Sequence, residues 1–234
     1  GADGLVFVEK DPSEKCDLKW DFYNSDGSTA EMCGNAARCM ARYAPFKNLA
    51  PNKFSFLTAA GPILAESHQE TASVTMTPPS EFKDQTFMEY RQYYSQQIES
   101  GEEGLYYFQV DTGVPHVVIN VQFLVQDQQT KEVAEFFQDH QLFQPQSTNV
   151  TFYSILYPDE IHSMTFERGV RDFTLSCGTG AVASAYIHYL STQKNKIRVN
   201  VPGGTLYVDF SNVNQPILSG PATFVAEMTT YNED

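Results

Sequence analysis

Two short stretches of this chain place a cysteine and a glycine at the start of a run of small residues. The first is Met32-Cys33-Gly34-Asn35-Ala36-Ala37, and the second is Ser176-Cys177-Gly178-Thr179-Gly180-Ala181. A cysteine just ahead of a helix sits where the first backbone N–H groups have no partner inside the helix and where the helix dipole is positive. Such an end binds a carboxylate and is expected to lower the pKa of a neighbouring thiol toward neutrality. The glycine lets a ligand or another backbone come close. If the two ends face each other, Cys33 and Cys177 lie on opposite faces of one carbon whose carboxylate is clamped between two sets of N–H groups. A thiolate on one face would remove a proton and a thiol on the other would return one. That is the chemistry of a two-base racemase or epimerase, with no cofactor and no metal. The same N–H groups would stabilise the charge that grows on the carboxylate as the carbon becomes planar.

Other residues carry weaker signals. Glu167-Arg168-Gly169 lies ten positions before Cys177 (177 − 167), which favours substrate binding over the solvated pair that most such charges form. His116, following Pro115, reads equally as structural or functional. Asp172 reads as a possible cap for the second helix region. Gly178-Thr179-Gly180 could hold a phosphate, but it lacks the lysine of a P-loop. Cys16 and Cys39 read as small core residues, and Cys39, six residues into the helix from Cys33, is expected to face inward. A disulfide between Cys33 and Cys177 is the competing reading of that pair. It would inactivate the proposed chemistry.

The elements that must position these residues are mostly short strands. Leu5–Glu9, Asp17–Tyr23, Lys53–Leu57, Leu105–Val110, His116–Val121, Asn149–Leu156, Met164–Glu167, Lys196–Val201 and Leu206–Phe210 read as strands from apolar runs or alternation. Ile63–Glu66 and Ser73–Thr77 read as a hairpin, and Thr223–Met228 as the last strand. Gly34–Tyr43 reads as a helix ended before Pro45, Gln128–Asp139 as a second, and Gly178–Leu190 as a third. The polar segment 81–104 reads as a boundary or surface insertion.

The order of elements recurs. Cys33 and Gly61 are 28 positions apart (61 − 33), and Cys177 and Gly204 are 27 (204 − 177). Gly61 to Pro78 and Gly204 to Pro221 are both 17 (78 − 61; 221 − 204). A duplicated unit predicts two similar halves about a pseudo-twofold axis, with a site between them fed by both. The division expected is 1–82 plus 221–234 around Cys33, and 83–220 around Cys177. The fold class expected is α/β of the α+β type.

Bulk properties bound the remaining classes. A chain of 234 residues is long enough for one large domain or two small ones. Its net charge of −14 argues against binding nucleic acid through phosphates. No apolar run approaches the roughly 20 residues of a membrane span, and the first residues lack the basic start of a signal peptide. The four cysteines show no C-x-x-C spacing. A reducing cytoplasm is the expected compartment.

These residues resemble the diaminopimelate epimerase family. The resemblance rests on Asn24-Ser25-Asp26-Gly27-Ser28 with Met32-Cys33-Gly34-Asn35, on Gly113-Val114-Pro115-His116, on Glu167-Arg168-Gly169, on Ser176 to Ala181, and on Pro202-Gly203-Gly204. It covers nearly the whole sequence. It implies two similar α/β domains, each a sheet wrapped around a central helix, with the site in the cleft between them. It implies Cys33 and Cys177 as acid and base, and the amides of Gly34, Asn35, Gly178 and Thr179 as the cradle of the reacting carboxylate. It implies Asn24, Asn149, Glu167 and Arg168 as the grip on the distal amino-acid end, with His116 in support. The substrate implied is the small molecule diaminopimelate, on the route to lysine and cell wall; a homodimer is left open. Two departures stand out. The family's asparagine ahead of Pro-His is Val114 here, which loses one polar contact, so a racemase for another amino acid or a non-catalytic relative are the alternatives. The family's His-Gly-x-Gly-Asn-Asp-Phe segment, with a strand and a site asparagine, has no counterpart in the sequence given.

Overall fold

The computed structural model describes residues 4–25, 27–29, 32–89 and 104–228. In chain order the elements are β1 (Gly4–Lys10), β2 (Leu18–Asn24), α1 (Gly34–Phe46), β3 (Lys53–Thr58), β4 (Gly61–Ser67), β5 (Thr71–Thr75), β6 (Ser80–Glu89), β7 (Gly104–Asp111), β8 (Pro115–Asn120), α2 (Gln128–Asp139), a 3-10 turn (Gln141–Phe143), β9 (Asn149–Tyr157), β10 (Glu160–Glu167), β11 (Asp172–Phe173), α3 (Gly178–Thr192), β12 (Lys196–Val201), β13 (Gly204–Asp209) and β14 (Ile217–Pro221). The molecule is α+β, dominated by strands, and the resemblance to a fold of helices wrapped by sheet holds.

The recurrence seen in the sequence is an internal repeat of structure. In the first half β1 and β2 are antiparallel, α1 crosses over to β3 parallel to β2, and β4 and β5 follow as an antiparallel meander. The second half repeats this with β9, β10, α3, β12, β13 and β14. The halves join where β5 pairs antiparallel with β14, and this register is symmetric about Ser73 and Ser219. Their hydroxyls meet at 2.8 Å. One sheet path therefore runs from β1 through β5 and β14 to β9, then on through β8 and β7 to β6.

Two glycines close equivalent turns. Gly61 has φ +110° and Gly204 has φ +142°, a backbone that side-chain-bearing residues resist. The proline match does not survive. Pro221 is the last residue of β14, whereas Pro78 lies beyond the end of β5. The loop from β13 to β14 is longer than that from β4 to β5, so the equal proline spacings were coincidental.

The main apolar core lies between the sheet and the two central helices, with Phe56, Phe210, Ile161, Ile197, Leu206 and Leu218 fully enclosed. Truncating one such phenylalanine to alanine would cost roughly 3–5 kcal/mol. α3 is buried almost all round through Ala185, whereas α1 keeps an exposed side carrying Cys39 and Tyr43. A second core under α2 gathers Phe137, Tyr107, Phe152 and Phe166.

Several expectations are corrected. Pro45 does not end α1 but lies in its last turn, so the helix forgoes the one amide bond that proline cannot donate and stops a residue later. Residues 80–89 are the edge strand β6, mostly exposed, so their polarity marks a solvated edge; the rest of 81–104, apart from Gly104 at the start of β7, lies outside the described residues. The last strand is Ile217–Pro221, not Thr223–Met228; Val225 and Met228 are 97% and 87% exposed. Cys39 is exposed and does not face the core, and Cys16 is half-buried. Asp172 caps no helix: it lies on β11 and pairs with Lys131 at 3.6 Å.

Candidate active site

Both central helices begin at a cysteine. Cys33 is the N-cap of α1 with φ −141° and ψ 114°, and Cys177 is the N-cap of α3 with φ −115° and ψ 112°. Each is extended, as an N-cap must be, and each carbonyl accepts the first intrahelical bond, from Ala37 N and Ala181 N, both at 2.9 Å.

The two helix ends meet backbone to backbone. A Cβ added at Gly34 would lie 3.1 Å from Gly178 Cα, and one added at Gly178 would lie 3.0 Å from Gly34 Cα. Only glycine at both positions permits this approach. Asn35 fastens the junction, since its Nδ2 donates to Ser176 O at 2.8 Å. The four cradle residues Gly34, Asn35, Gly178 and Thr179 are thus brought together, next to both cysteines.

All the cysteines are free. Contrary to expectation, neither Cys33 nor Cys177 is acidified. Burial pushes Cys33 above its usual range; the amides of Ala36 and Asn35 pull against this, the Glu167 carboxylate adds to it, and Arg38 opposes it. Burial pushes Cys177 further, up to about 12, and Glu167 adds to the rise. The Thr179 hydroxyl and the Gly180 amide, each 3.4 Å from Cys177 Sγ, pull the other way. Desolvation of the thiolate outweighs the helix-end amides. The Glu167 carboxylate disfavours the anion at both sulfurs. Its Oε1 accepts from Thr174 Oγ1 at 2.6 Å.

His116 is buried behind Thr179. Its Nε2 meets Thr179 Oγ1 at 3.0 Å and its Nδ1 meets Thr151 Oγ1 at 2.9 Å. Burial, helped by the Arg168 cation, holds its pKa at about 3, so the imidazole is neutral. Hydroxyls continue the chain from Thr151 to Thr165 at 3.0 Å. A neutral ring with hydroxyls on both nitrogens can exist in either tautomer, so this chain can donate toward Cys177 or accept from it.

Asn149 opens β9 beside His116 on β8. Its Oδ1 accepts from Arg168 N at 2.9 Å, fixing the turn after β10, and Arg168 Nη1 donates to Gln146 O at 2.9 Å. Asn24 stands apart. Its Nδ2 donates to Ser28 Oγ at 3.0 Å, and it lines a shallow depression with Leu5, Phe7 and Tyr23 that holds neither cysteine. Among the described residues no contact joins Asn24 to the others. Sequence inspection passed over Arg38 and Thr151. A lone cation one turn into a helix of small residues was the available signal for Arg38; a threonine on a strand gives none. Among the described residues no three His, Cys, Asp or Glu side chains are grouped to hold a metal.

Similar proteins now fix the family. The family model for diaminopimelate epimerase matches residues 1–82 and 108–225. A diaminopimelate epimerase of Aquifex aeolicus (strain VF5) is 39% identical over 233 residues, which is 97% of this chain and 79% of that one. Another, of Chlorobaculum tepidum, is 35% identical, covering 96% of this chain and 84% of that one. The chain belongs to the diaminopimelate epimerase family. It is an isomerase, an amino-acid epimerase, and its substrate is a small molecule. Solved structures extend the likeness in fold alone. A probable proline racemase from Agrobacterium radiobacter K84, with bound carbonate, has TM-score 0.70 at 13% identity over 98% of this chain and 76% of that one. A phenazine biosynthesis protein of the PhzF family from Bacillus anthracis has TM-score 0.68 at 18% identity over 98% and 85%. No helix among the described residues is long and apolar enough to cross a membrane.

Proposed function

We propose that this epimerase interconverts LL- and meso-diaminopimelate without a cofactor, with Cys33 and Cys177 as the acid–base pair. The observation that carries this is the Gly34–Gly178 contact, which sets two cysteine-capped helix ends against each other. The carboxylate of the reacting centre takes the unpaired amides of Gly34, Asn35, Gly178 and Thr179. One thiolate removes the α-proton, the opposite thiol protonates the other face, and the roles reverse for the opposite direction. The raised thiol pKa values make the thiolate, once formed, a stronger base for a weakly acidic C–H. Glu167 accepts from the distal ammonium and Arg168 pairs with the distal carboxylate, with Asn149 holding Arg168 in place and Asn24 assigned to the same grip from the first half. The work is placed in the cytoplasm, supplying lysine and peptidoglycan. The division at 1–82 with 221–234 and 83–220 belongs to the same proposal, with the site in the cleft between the halves.

Val114 supports a second reading, a racemase for another amino acid, because no polar side chain at that position can hold a distal head. Incubation with LL-diaminopimelate and with single-headed amino acids in deuterium oxide separates the two. Deuterium entering the α-carbon of diaminopimelate alone supports the first reading. Exchange only in single-headed amino acids supports the second. No exchange in any of them, under reducing conditions, refutes both.

A further inference from the structure

The start of α1 meets the second half of the molecule at three positions. Gly34 faces Gly178, and Asn35 reaches Ser176. Arg38, one turn further, packs against Gly220 of β14, where a Cβ would sit 3.3 Å from its Nε. Arg38 is only 5% exposed. Its Nη1 donates to Gly34 O at 3.2 Å and its Nη2 to Asn35 Oδ1 at 2.9 Å, while Nε finds no acceptor. Among the described residues no carboxylate competes for it. A guanidinium can only donate, so the atom that Asn35 turns toward Arg38 must be its oxygen. Ser176 Oγ converges on the same oxygen at 3.4 Å. The Asn35 nitrogen is left facing Ser176 O, to which it donates at 2.8 Å. With no donor at position 38, the amide is free to turn over and set its oxygen against the Ser176 carbonyl.

We propose that Arg38 is a positioning residue: it fixes the Asn35 amide in the one orientation that latches the start of α1 to Ser176, and through Ser176 it sets Cys177 in the other half. The proposal rests on the two-cysteine reading above and adds a residue to that site. The Ser176 carbonyl and the Cys177 N–H belong to one planar peptide, so the bond that holds Ser176 O also orients the chain entering Cys177, the N-cap of α3. On the near side, Asn35 is the second residue of α1, and its own N–H is among those that a helix start leaves unpaired. One side chain therefore ties the two edges of the carboxylate cradle together, and Arg38 sets which way that side chain points. The second half has no matching device. Thr179 stands where Asn35 does, counting from each cysteine, and its hydroxyl meets Cys177 Sγ and His116. The counterpart of Arg38 is Val182, a core residue. The latch is supplied from α1 alone.

Nitrogen-15 NMR of the side-chain amides, together with turnover, tests this. In the wild-type protein the Asn35 side-chain amide, identified by its absence from the N35A spectrum, should exchange with water at least about tenfold more slowly than solvated asparagines. In R38M, which removes the donor, that protection should be lost and turnover should fall about tenfold or more. In R38K, whose ammonium also can only donate, most of both should return. In an N35A background R38M should change turnover by less than about twofold, because its effect runs through Asn35. An unprotected Asn35 amide in the wild type overturns the proposal even if R38M fails to fold. So does a folded R38M whose Asn35 amide stays protected, an R38K as impaired as R38M, or an R38M effect undiminished in N35A. α-Deuterium exchange by the wild type is measured alongside: its absence refutes the two-cysteine function, whereas exchange with R38M turning over at the wild-type rate refutes only the role of Arg38.

Discussion

The starts of α1 and α3 are the same device in two environments. Each is an extended cysteine, a glycine, and a helix entered through small residues. Around Cys33 the supporting group is a cation, Arg38, and the sulfur is half-buried with no side-chain cap. Around Cys177 the support is neutral, a chain of hydroxyls and one imidazole, and the sulfur is buried and accepts the Gly180 amide. A duplicated fold thus delivers two chemically equal groups, and the neighbours make them unequal. A two-base reaction needs that inequality, since one sulfur must hold a proton while the other does not.

Removing either sulfur should have the largest effect. Cys33→Ala and Cys177→Ala are each expected to lower turnover by about 10²–10⁴-fold, the usual worth of a general acid or base, measured by α-deuterium exchange. A single variant that stays fully active would end the comparison.

Forcing the helix ends apart comes next. In Gly34→Ala and Gly178→Ala the new methyl meets the partner's backbone at 3.1 and 3.0 Å. Helix propensity alone would favour alanine by about 0.5–1 kcal/mol, but overpacking against backbone costs roughly 1–3 kcal/mol, so crowding wins. Both variants should be less stable in urea and lose about tenfold or more in turnover as the cradle widens.

The neutral side of the comparison shows in pH. His116 is held at about 3, against about 6.5 in an unfolded chain. The native state favours the uncharged ring, so its contribution is fully present above about 6.5 and is lost as pH falls from there toward 3. Within that window stability should drop by about 1.4 kcal/mol per pH unit from this residue. Urea titrations should show the wild type losing about 2 kcal/mol more than His116→Gln between neutral pH and pH 5. Equal losses would mean that His116 is charged in the native state.

The smallest effect should come from Thr179→Val, which keeps the shape and deletes the hydroxyl between Cys177 and His116. A cost of about 1 kcal/mol is expected from the lost bond, with slower alkylation of Cys177 because a group favouring its thiolate is gone. Unchanged alkylation would detach the hydroxyl from the sulfur.

The repeat and the two helix starts were legible because glycine turns, small-residue helices and alternating strands are local signals. Cys33, Gly34, Asn35, Cys177, Gly178 and Thr179 do meet at one junction. Their thiol pKa values were misjudged because the helix-end effect is local, whereas desolvation depends on what the fold packs over the sulfur. β14 was missed because its role is to pair with β5, and a strand's partner is not written in its own residues. Arg38 looked like one more helix cation, and only enclosure without a carboxylate sets it apart. Asn24 is held within its own turn by Ser28.

The central claim is that two sulfurs act on opposite faces of one carbon. Limited conversion of LL-diaminopimelate in deuterium oxide tests it most directly, with deuterium measured separately in product and in recovered substrate. The account predicts that the first product formed carries deuterium at the inverted carbon while recovered substrate does not, because the proton removed by one thiol is not the proton returned by the other. Substrate and product gaining deuterium at equal rates from the start, as when one base serves both faces, would contradict it.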